Sequence, residues 1–590
     1  MSILPTTYTA MAWLLCLIFC QLAAADLKLA GQLFQIKGEP IVSNAKLRWS
    51  LLASAESYRV QRSGGGHNQT VLEVVTGNSF DDYGLTLNTT YTYVVTALDG
   101  DSAAIEASNE LGLTPYTPNL SRLTSFDNAP SFPDSINASL QVRDLDASAF
   151  AHGRRQDVEY RYDYEAFANG SFSHFREQTR TDGGEWTGER VVLTNHVMCA
   201  SANYSCKLEG IQWKTHPSSG LIIMWAHFER YGDYGLAEVA NLYTYPGDES
   251  LTWNGAYRPL NYQSRDLSFY NDGSAGYLIS TTNGNADMNI FELASNWTEI
   301  TSLLTTVNKG LYREAPSIIK PSSDGLYYMF TSRTSGWLPS QPQYITASSM
   351  AGPWGDPVNT GNTATFCSQS GGVSGIASGQ YMMYSTRWSA SWPTPGGPTR
   401  RLNLPLSISP GGNFATFHFY PQVMYSWTLG EKGHGIYGIQ SGKILSDGRP
   451  SRVTAGLDTT NLTLVNDGTQ DSPAEYWIPG KVPFWYEVDL GQAYNITQVD
   501  LSTRLRQGSE TYYVYNVTGS TDGKTYNMLA DQTNNTDSGF SVSFPGANGT
   551  SAEGFRYVRV EVSGLYNNNN GNSATWAVGL HEVTVYGNQG

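Results

Sequence analysis

Four segments of the chain begin at a glycine, enter an apolar run and leave it through small polar residues: GLIIMWAH from Gly220, GYLISTT from Gly276, GLYYMFTS from Gly325 and GQYMMYSTRW from Gly379. Their starts are 56, 49 and 54 residues apart. A unit of about 50 residues built from short strands cannot bury both of its faces alone; units set around an axis can, because each covers the next. A stack of hairpins in a sandwich is the competing arrangement, but it supplies no reason for regular spacing. With a less regular unit between Leu123 and Cys199, the repeat predicts a five-bladed β-propeller.

At 590 residues the chain is too long for one core. Its 59 Gly, 26 Pro, 37 Tyr and 15 Trp, with only 15% charged residues, favour short strands and tight turns over long helices, so the whole chain is expected to be all-β. A net charge of −16 argues against nucleic acid and anionic membrane as partners, since both require a basic face. A neutral polysaccharide is compatible, and the abundant aromatic rings suit either sugar stacking or sheet cores. An apolar run from Met11 to Leu22, followed by Ala23, Ala24 and Ala25, predicts a cleaved leader over residues 1–25 and a secreted, extracellular protein. An uncleaved anchor is the alternative, though the run is short for a bilayer and no later stretch is long enough to span one. Twelve glycosylation sequons fit the secretory route: Asn68, Asn88, Asn119, Asn137, Asn169, Asn203, Asn296, Asn461, Asn495, Asn516, Asn534 and Asn548. Cys199 and Cys206, with six residues between them, are placed for a small disulfide that leaves Cys367 unpaired. No zinc spacing exists, no cofactor for catalysis is implied, and a monomer is expected.

Outside the repeat, residues 30–117 alternate as half-buried strands in LRWSLL, SYRVQRS and SFDDYGLTLNTTYTYVVTAL. Trp49, Tyr58, Val60, Leu85, Thr89 and Tyr91 give this segment a resemblance to fibronectin type III domains, which implies a β-sandwich with Tyr91 as its corner tyrosine. The propeller is expected over residues 123–436, with a linker from about Tyr437 to Val453. Residues 454–588 then contain WYEVDLGQAYNITQVDL, YYVYNVTGSTDGKTYNML, RYVRVEV and LHEVTVYG. These strands resemble coagulation factor 5/8 type C, or discoidin-like, domains, the fold also of family 32 carbohydrate-binding modules. That resemblance implies a structural calcium held by Asp467 of the Asp467-Gly468 turn and by Glu582 of the closing strand. An ordinary turn and a solvated glutamate are the alternative.

Within the repeat, carboxylates recur in register. Asp266 lies in SRDLSFYNDG, Glu314 in LYREAPSIIK and Glu209 in KLEGIQWK, each ahead of or entering a strand of successive units. Equivalent positions in successive blades converge on the propeller axis, so the three are expected to form one acidic hollow. Glycoside hydrolysis uses such a set: a protonated carboxyl for the leaving oxygen, a second group for water, and often a third to hold the acid's pKa up. Singly, each carboxylate reads equally as a solvated loop residue.

MWAH at Met224–His227, SRD at Ser264–Asp266 with Asp272-Gly273, EAP at Glu314–Pro316, TSRTSGWLP ending at Pro339, ASSMAGPW ending at Trp354, Ser368-Gln369, and Arg387-Trp388 before Leu404-Pro405-Leu406 resemble glycoside hydrolase family 43, in its exo-β-1,3-galactanase branch. The resemblance implies Glu314 as general acid, Asp266 as the residue that raises its pKa and orients it, Glu209 as a holder of substrate hydroxyls or an aid to the water, and Gln369 beside the attacking water in place of the usual aspartate base. Trp225, His227, Trp337, Arg387 and Trp388 are its candidate substrate contacts. It also implies an inverting, exo-acting enzyme that trims galactose, with arabinofuranose or galactofuranose as lesser alternatives, from arabinogalactan-type cell-wall polysaccharide. The chain departs from the branch in two places: Ala151-His152-Gly153 is followed by RRQDVEYRYDYEAF without the usual glycines, and Thr386 stands where most relatives have aspartate. A glycan-binding protein without turnover is therefore the rival expectation, and an adhesion protein using its outer modules a third.

Overall fold

The computed structural model of the chain describes residues 26–129, 150–249, 251–273, 275–377, 379–394, 397–426, 435–506, 510–546 and 552–589. The expected leader, Asn137 and Asn548 lie outside the described residues.

Five four-stranded antiparallel sheets follow one another in chain order. Their first strands are Phe150–Arg155, Cys206–Thr215, Leu267–Asp272, Arg313–Ile319 and Gln369–Ala377, and each packs beside the first strand of the next sheet. These strands therefore line the axis and the sheets are the blades of a five-bladed β-propeller. In the second and fourth blades the second strand is buried on both faces: in Ile222–Arg230 and in Tyr327–Arg333 every residue but the last is buried. That is why their sequence reads as an unbroken apolar run and not as an alternation. Gly220, Gly325 and Gly379, with φ near +70°, turn the chain from first to second strand. In the third blade Gly273 has this role, and Gly276 is small for another reason: a Cβ there would lie 2.5 Å from the Trp297 ring. Cys199 and Cys206 are disulfide-bonded at the entry to the second blade, and Cys367 is free and buried.

The N-terminal domain is a β-sandwich. Ser57–Gly64, His67–Val75, Tyr91–Leu98 and Ala104–Ala107 form one sheet, with Leu111–Leu113 on Tyr91–Leu98; Leu29–Ile36, Asn44–Trp49 and Ser79–Asp82 lie in the other. Trp49, Tyr58 and Tyr93 fill its core. The Tyr91 hydroxyl accepts the Thr86 N–H at 3.2 Å, the bond of a corner tyrosine. The second sheet does not stop at the domain. Phe34–Ile36 pairs in parallel with Gly438–Gln440, Ile436–Gln440 pairs with Gln422–Tyr425, and that strand pairs with Thr124–Asp127. Two expectations are corrected here: the strands Thr124–Asp127 and Gln422–Tyr425 are not propeller, and the segment expected to link from Tyr437 is a strand at its start. The cause is a shared apolar core of Phe34, Phe126, Tyr420, Val423 and Ile436, which strands this short do not announce in sequence.

The C-terminal domain is a discoidin-like β-sandwich built on the twenty-residue strand Phe484–Thr503, with Thr511–Ser520, Phe555–Asn567 and Leu580–Asn588 around a core of Trp477, Tyr486, Val560 and Val585. It is bonded to both other domains. Arg48 donates to the Gly468 carbonyl at 2.6 Å and Asn78 to Asp471 at 3.1 Å, while the Thr363 N–H of the propeller donates to the Gln470 carbonyl at 2.9 Å.

Gly438 tests the shared sheet, because a Cβ there would lie 2.1 Å from the Tyr420 ring. Gly438→Ala is expected to destabilise the protein by about 1–3 kcal/mol through overpacking, read as a lowered Tm; an unchanged Tm would mean that this strand is not seated as described.

Candidate active site

Glu209, Asp266, Glu314 and Gln369 come from the axial strands of four successive blades: Glu209 and Glu314 near the starts of theirs, Asp266 one residue ahead, Gln369 at the first position. Two blades use one local device to aim them. The ladder shifts register between Glu209 and Gln212 and between Glu314 and Ser317, and the residue after each glutamate is left-handed, Gly210 at φ 56° and Ala315 at φ 49°. Such bulges re-aim a side chain and free a backbone N–H from the ladder. In the fourth blade the freed Ala315 N–H donates to Asp266 Oδ2 at 3.1 Å, tying two neighbouring blades together at the site.

The three carboxyl groups share one electrostatic environment, and it treats them unequally. Burial would raise Glu209, but His227, Lys207 and the Tyr234 hydroxyl outweigh it and hold Glu209 at about 2. Tyr234 donates to Glu209 Oε1 at 2.8 Å; His227 Nδ1 is 3.4 Å from Oε2. Behind it, His227 Nε2 lies 2.9 Å from Glu229, a fully buried carboxylate that also accepts the N–H groups of Leu236 and Ala237. Burial alone would lower His227, and its two carboxylate neighbours raise it instead. Glu314 goes the opposite way: burial first, then the adjacent Asp266 charge, push it up to about 8, against the opposing Asn285 amide. Asp266 is raised by burial and by Glu209, with His227 and the Ala315 N–H opposing. Asn285 Nδ2 donates to Glu314 Oε1 at 2.7 Å and Gln369 Nε2 approaches Oε2 at 3.4 Å.

Gln369 has no freedom to act as a base. Its amide nitrogen also donates to Ser332 at 3.1 Å, and its carbonyl accepts the Trp388 indole N–H at 2.9 Å. Trp388 meets the exposed Trp337 edge to face, centroids 5.2 Å apart, so both remain beside the carboxyl groups as sugar-contact candidates. Three other expected contacts are corrected. Trp225 is fully buried between the second and third blades, its indole N–H on the Trp297 carbonyl. Arg387 is buried and paired with Asp537 of the C-terminal domain. His227 is buried behind Glu209 and reaches a ligand only through it. Sequence reasoning missed Asn285, Tyr234 and Glu229: the first two sit in turns that look generic, and Glu229 follows MWAH by two residues, the spacing that places it on the same face of a strand as His227.

In the C-terminal domain Glu582 is buried; one oxygen accepts the Gly468 N–H at 3.1 Å and the other has no partner. Burial and the neighbouring Asp447 and Asp467 raise it well above the ordinary range, and burial pushes Asp467 itself up to about 7. An orphaned carboxylate oxygen beside two further buried carboxyl groups fits a hard cation. Among the described residues, no three His, Cys, Asp or Glu side chains converge with metal-ligand geometry, so main-chain oxygens would have to complete the set.

Residues 464–560 match a family model. It is described as the NedA-like, galactose-binding domain, in agreement with the discoidin-like sandwich seen there. No curated protein matches the chain. Similar solved structures include an exo-β-1,3-galactanase from Clostridium thermocellum, at 21% identity over 79% of this chain and 97% of that one with a TM-score of 0.43. Another is an exo-β-1,3-galactanase from Phanerochaete chrysosporium with galactose, at 19% identity over 74% and 95% with a TM-score of 0.45.

The raised Glu314 has a consequence for stability. A carboxyl at about 8 in the folded protein, against its usual 4.5, contributes stability below the lower value that is lost as pH rises through the upper one. Glu314→Gln cannot ionise, so its Tm should exceed the wild-type Tm above about pH 8 and the excess should shrink towards about pH 4. A difference independent of pH would show that Glu314 is not held protonated.

Proposed function

We propose that the protein is a secreted glycoside hydrolase that acts from chain ends on β-1,3-galactan of the arabinogalactan type and inverts the anomeric carbon. One observation carries the reading: a single site holds a carboxyl kept protonated at neutral pH, Glu314, beside a carboxylate kept ionised, Glu209. Pushing two carboxyl groups apart in this way assigns acid and electrostatic roles. Glu314 donates its proton to the leaving glycosidic oxygen as that bond breaks. Asp266, adjacent and half-buried, keeps Glu314 protonated until then. Glu209, pinned by His227 and Tyr234, receives substrate hydroxyls. The side-chain oxygen of Gln369 orients the attacking water through its remaining lone pair; as the water forms the new C–O bond and the glycosidic bond breaks, its proton passes to solvent, and Trp337 and Trp388 wall the sugar. The polymer follows from the motif resemblance around MWAH, SRD and EAP, and the galactose-binding family match over residues 464–560 accords with a galactose-bearing substrate. In that domain Asp467 and Glu582 hold a calcium ion, which would neutralise the buried carboxyl groups and complete the fold.

A second reading, a glycan-binding protein without turnover, is favoured by Gln369, whose carboxamide is held by Ser332 and Trp388 and takes no proton. Incubation with β-1,3-galactan separates the two. Release of monosaccharide that falls about 10²–10⁴-fold in Glu314→Gln supports hydrolysis with Glu314 as acid; binding without release supports the second reading, and release that survives the substitution removes Glu314 from the mechanism. The rate should also fall as pH rises through about 8, where Glu314 loses its proton. For the calcium proposal, a chelator should lower the Tm and added calcium restore it; a Tm indifferent to both would dismiss the ion.

A further inference from the structure

Gln369 is delivered to the axis by the crossover from Val358–Asn359, the last strand of the fourth blade, to Gln369–Ala377, the first of the fifth. The end of that crossover is left-handed over three successive residues: Thr365, Phe366 and Cys367 have φ of 47°, 53° and 64°, and the Ser368 N–H turns back to the Ala364 carbonyl at 3.1 Å. Residues bearing side chains enter this region singly, not in runs, so the surroundings must impose it.

The surroundings are the C-terminal domain. Asn362 is fully buried with its carboxamide inside the turn, where Oδ1 accepts the Ala364 N–H at 2.8 Å and the Phe366 N–H at 3.3 Å. Its Nδ2 points out of the propeller, to Ser502 Oγ at 2.9 Å and Gln470 Oε1 at 3.3 Å. The Phe366 ring meets Phe540 edge to face at 5.0 Å. Gly539 lies so close that a Cβ on it would be 2.4 Å from the Ala364 Cβ. A second tether arrives from the other side of Gln369. Arg387 pairs with Asp537, and the next residue, Trp388, donates to the Gln369 carbonyl at 2.9 Å. Both the backbone that leads into Gln369 and the partner of its side chain are thus anchored in the C-terminal domain.

We infer that Asn362, Ser502 and Asp537 are positioning residues for Gln369, so that the docked C-terminal domain is part of the propeller's active site as well as a carbohydrate tether. This rests on the hydrolase reading of the site. A tether alone would matter only for a polymeric substrate; a positioning role matters for every substrate.

The test uses the full-length protein with Asn362→Ala, Asp537→Asn and the milder Ser502→Ala, on a soluble aryl β-galactoside or β-1,3-galactobiose and on galactan. The expected result is a kcat about 10- to 100-fold lower on small and polymeric substrates alike, with KM unchanged, as displacement of a catalytic group produces. Alongside it, amide hydrogen exchange should speed up over residues 362–370 while the rest of the fifth blade keeps its protection. An unchanged kcat on the small substrate, or a loss confined to galactan, overturns the inference and leaves a tether. If the wild-type protein releases no sugar, the hydrolase reading fails and exchange decides: unchanged protection at 362–370 refutes the clamp, and lost protection sustains it.

Discussion

The arrangement depends on desolvation at the axis. Five strands packed side by side leave little room for water where they begin, and every polar group there feels its neighbours through a poor dielectric. Four successive blades put Glu209, Asp266, Glu314 and Gln369 into that space. Four acceptor-rich side chains in one hollow would repel one another if all the carboxyl groups ionised. The structure divides the burden: Glu209 receives His227, Lys207 and Tyr234 and stays charged, and Glu314, buried beside Asp266, stays protonated against the opposing Asn285 amide. Glu229 extends the division one layer deeper, since without it His227 would be a buried imidazole facing a single carboxylate at 3.4 Å.

Desolvation alone does not make a sugar site, as a second group of buried carboxyls shows. Where the three domains meet, a cavity is lined by Lys46, Arg48, His418, Asp447, Asp500 and Tyr586, and burial pushes Asp447 and Asp500 up to about 7. There Lys46 is paired with Asp81 at 2.8 Å with both side chains nearly inaccessible. Buried ion pairs of this kind add little net stability, and this one joins facing positions on two neighbouring strands of the first domain, so its charges are neutralised before any domain docks. The axial carboxyls differ in being partly open to solvent and flanked by an exposed aromatic, Trp337.

Much of this was legible in the sequence, and the parts that were not share a cause. The repeat glycines announced the blades because a turn with positive φ needs glycine at a fixed place, as at Gly220, Gly325 and Gly379. Register then located Glu209, Asp266 and Glu314, since equivalent positions in a ring must converge. Register says nothing about which face of a doubly buried strand a residue takes, so Trp225 and His227 read as pocket residues when one is inter-blade core and the other sits behind Glu209. Nor can it reveal contacts between distant segments. Arg387 read as a sugar contact because its partner, Asp537, is 150 residues away, and the strands at Gln422–Tyr425 and Ile436–Gln440 read as propeller and linker because the sheet they join is built on Leu29–Ile36 of the first domain.

Left-handed backbone adjoins three of the four axial side chains. Gly210 and Ala315 are left-handed immediately after Glu209 and Glu314, and a left-handed run ends one residue short of Gln369, since Ser368 intervenes. A side-chain-bearing residue in this region costs on the order of 1–3 kcal/mol, which the surrounding packing must offset. At Gly210 glycine removes the cost. Ala315 recovers part of it through the bond its N–H makes to Asp266. The run at 365–367 has no glycine and no such bond to the site, and it is the one place where another domain leans directly on the turn, through Asn362, Phe540 and Gly539. Strain and support therefore scale together from blade to blade, which is the expected pattern if the C-terminal domain is docked to fix the fifth-blade position and not merely to be carried alongside.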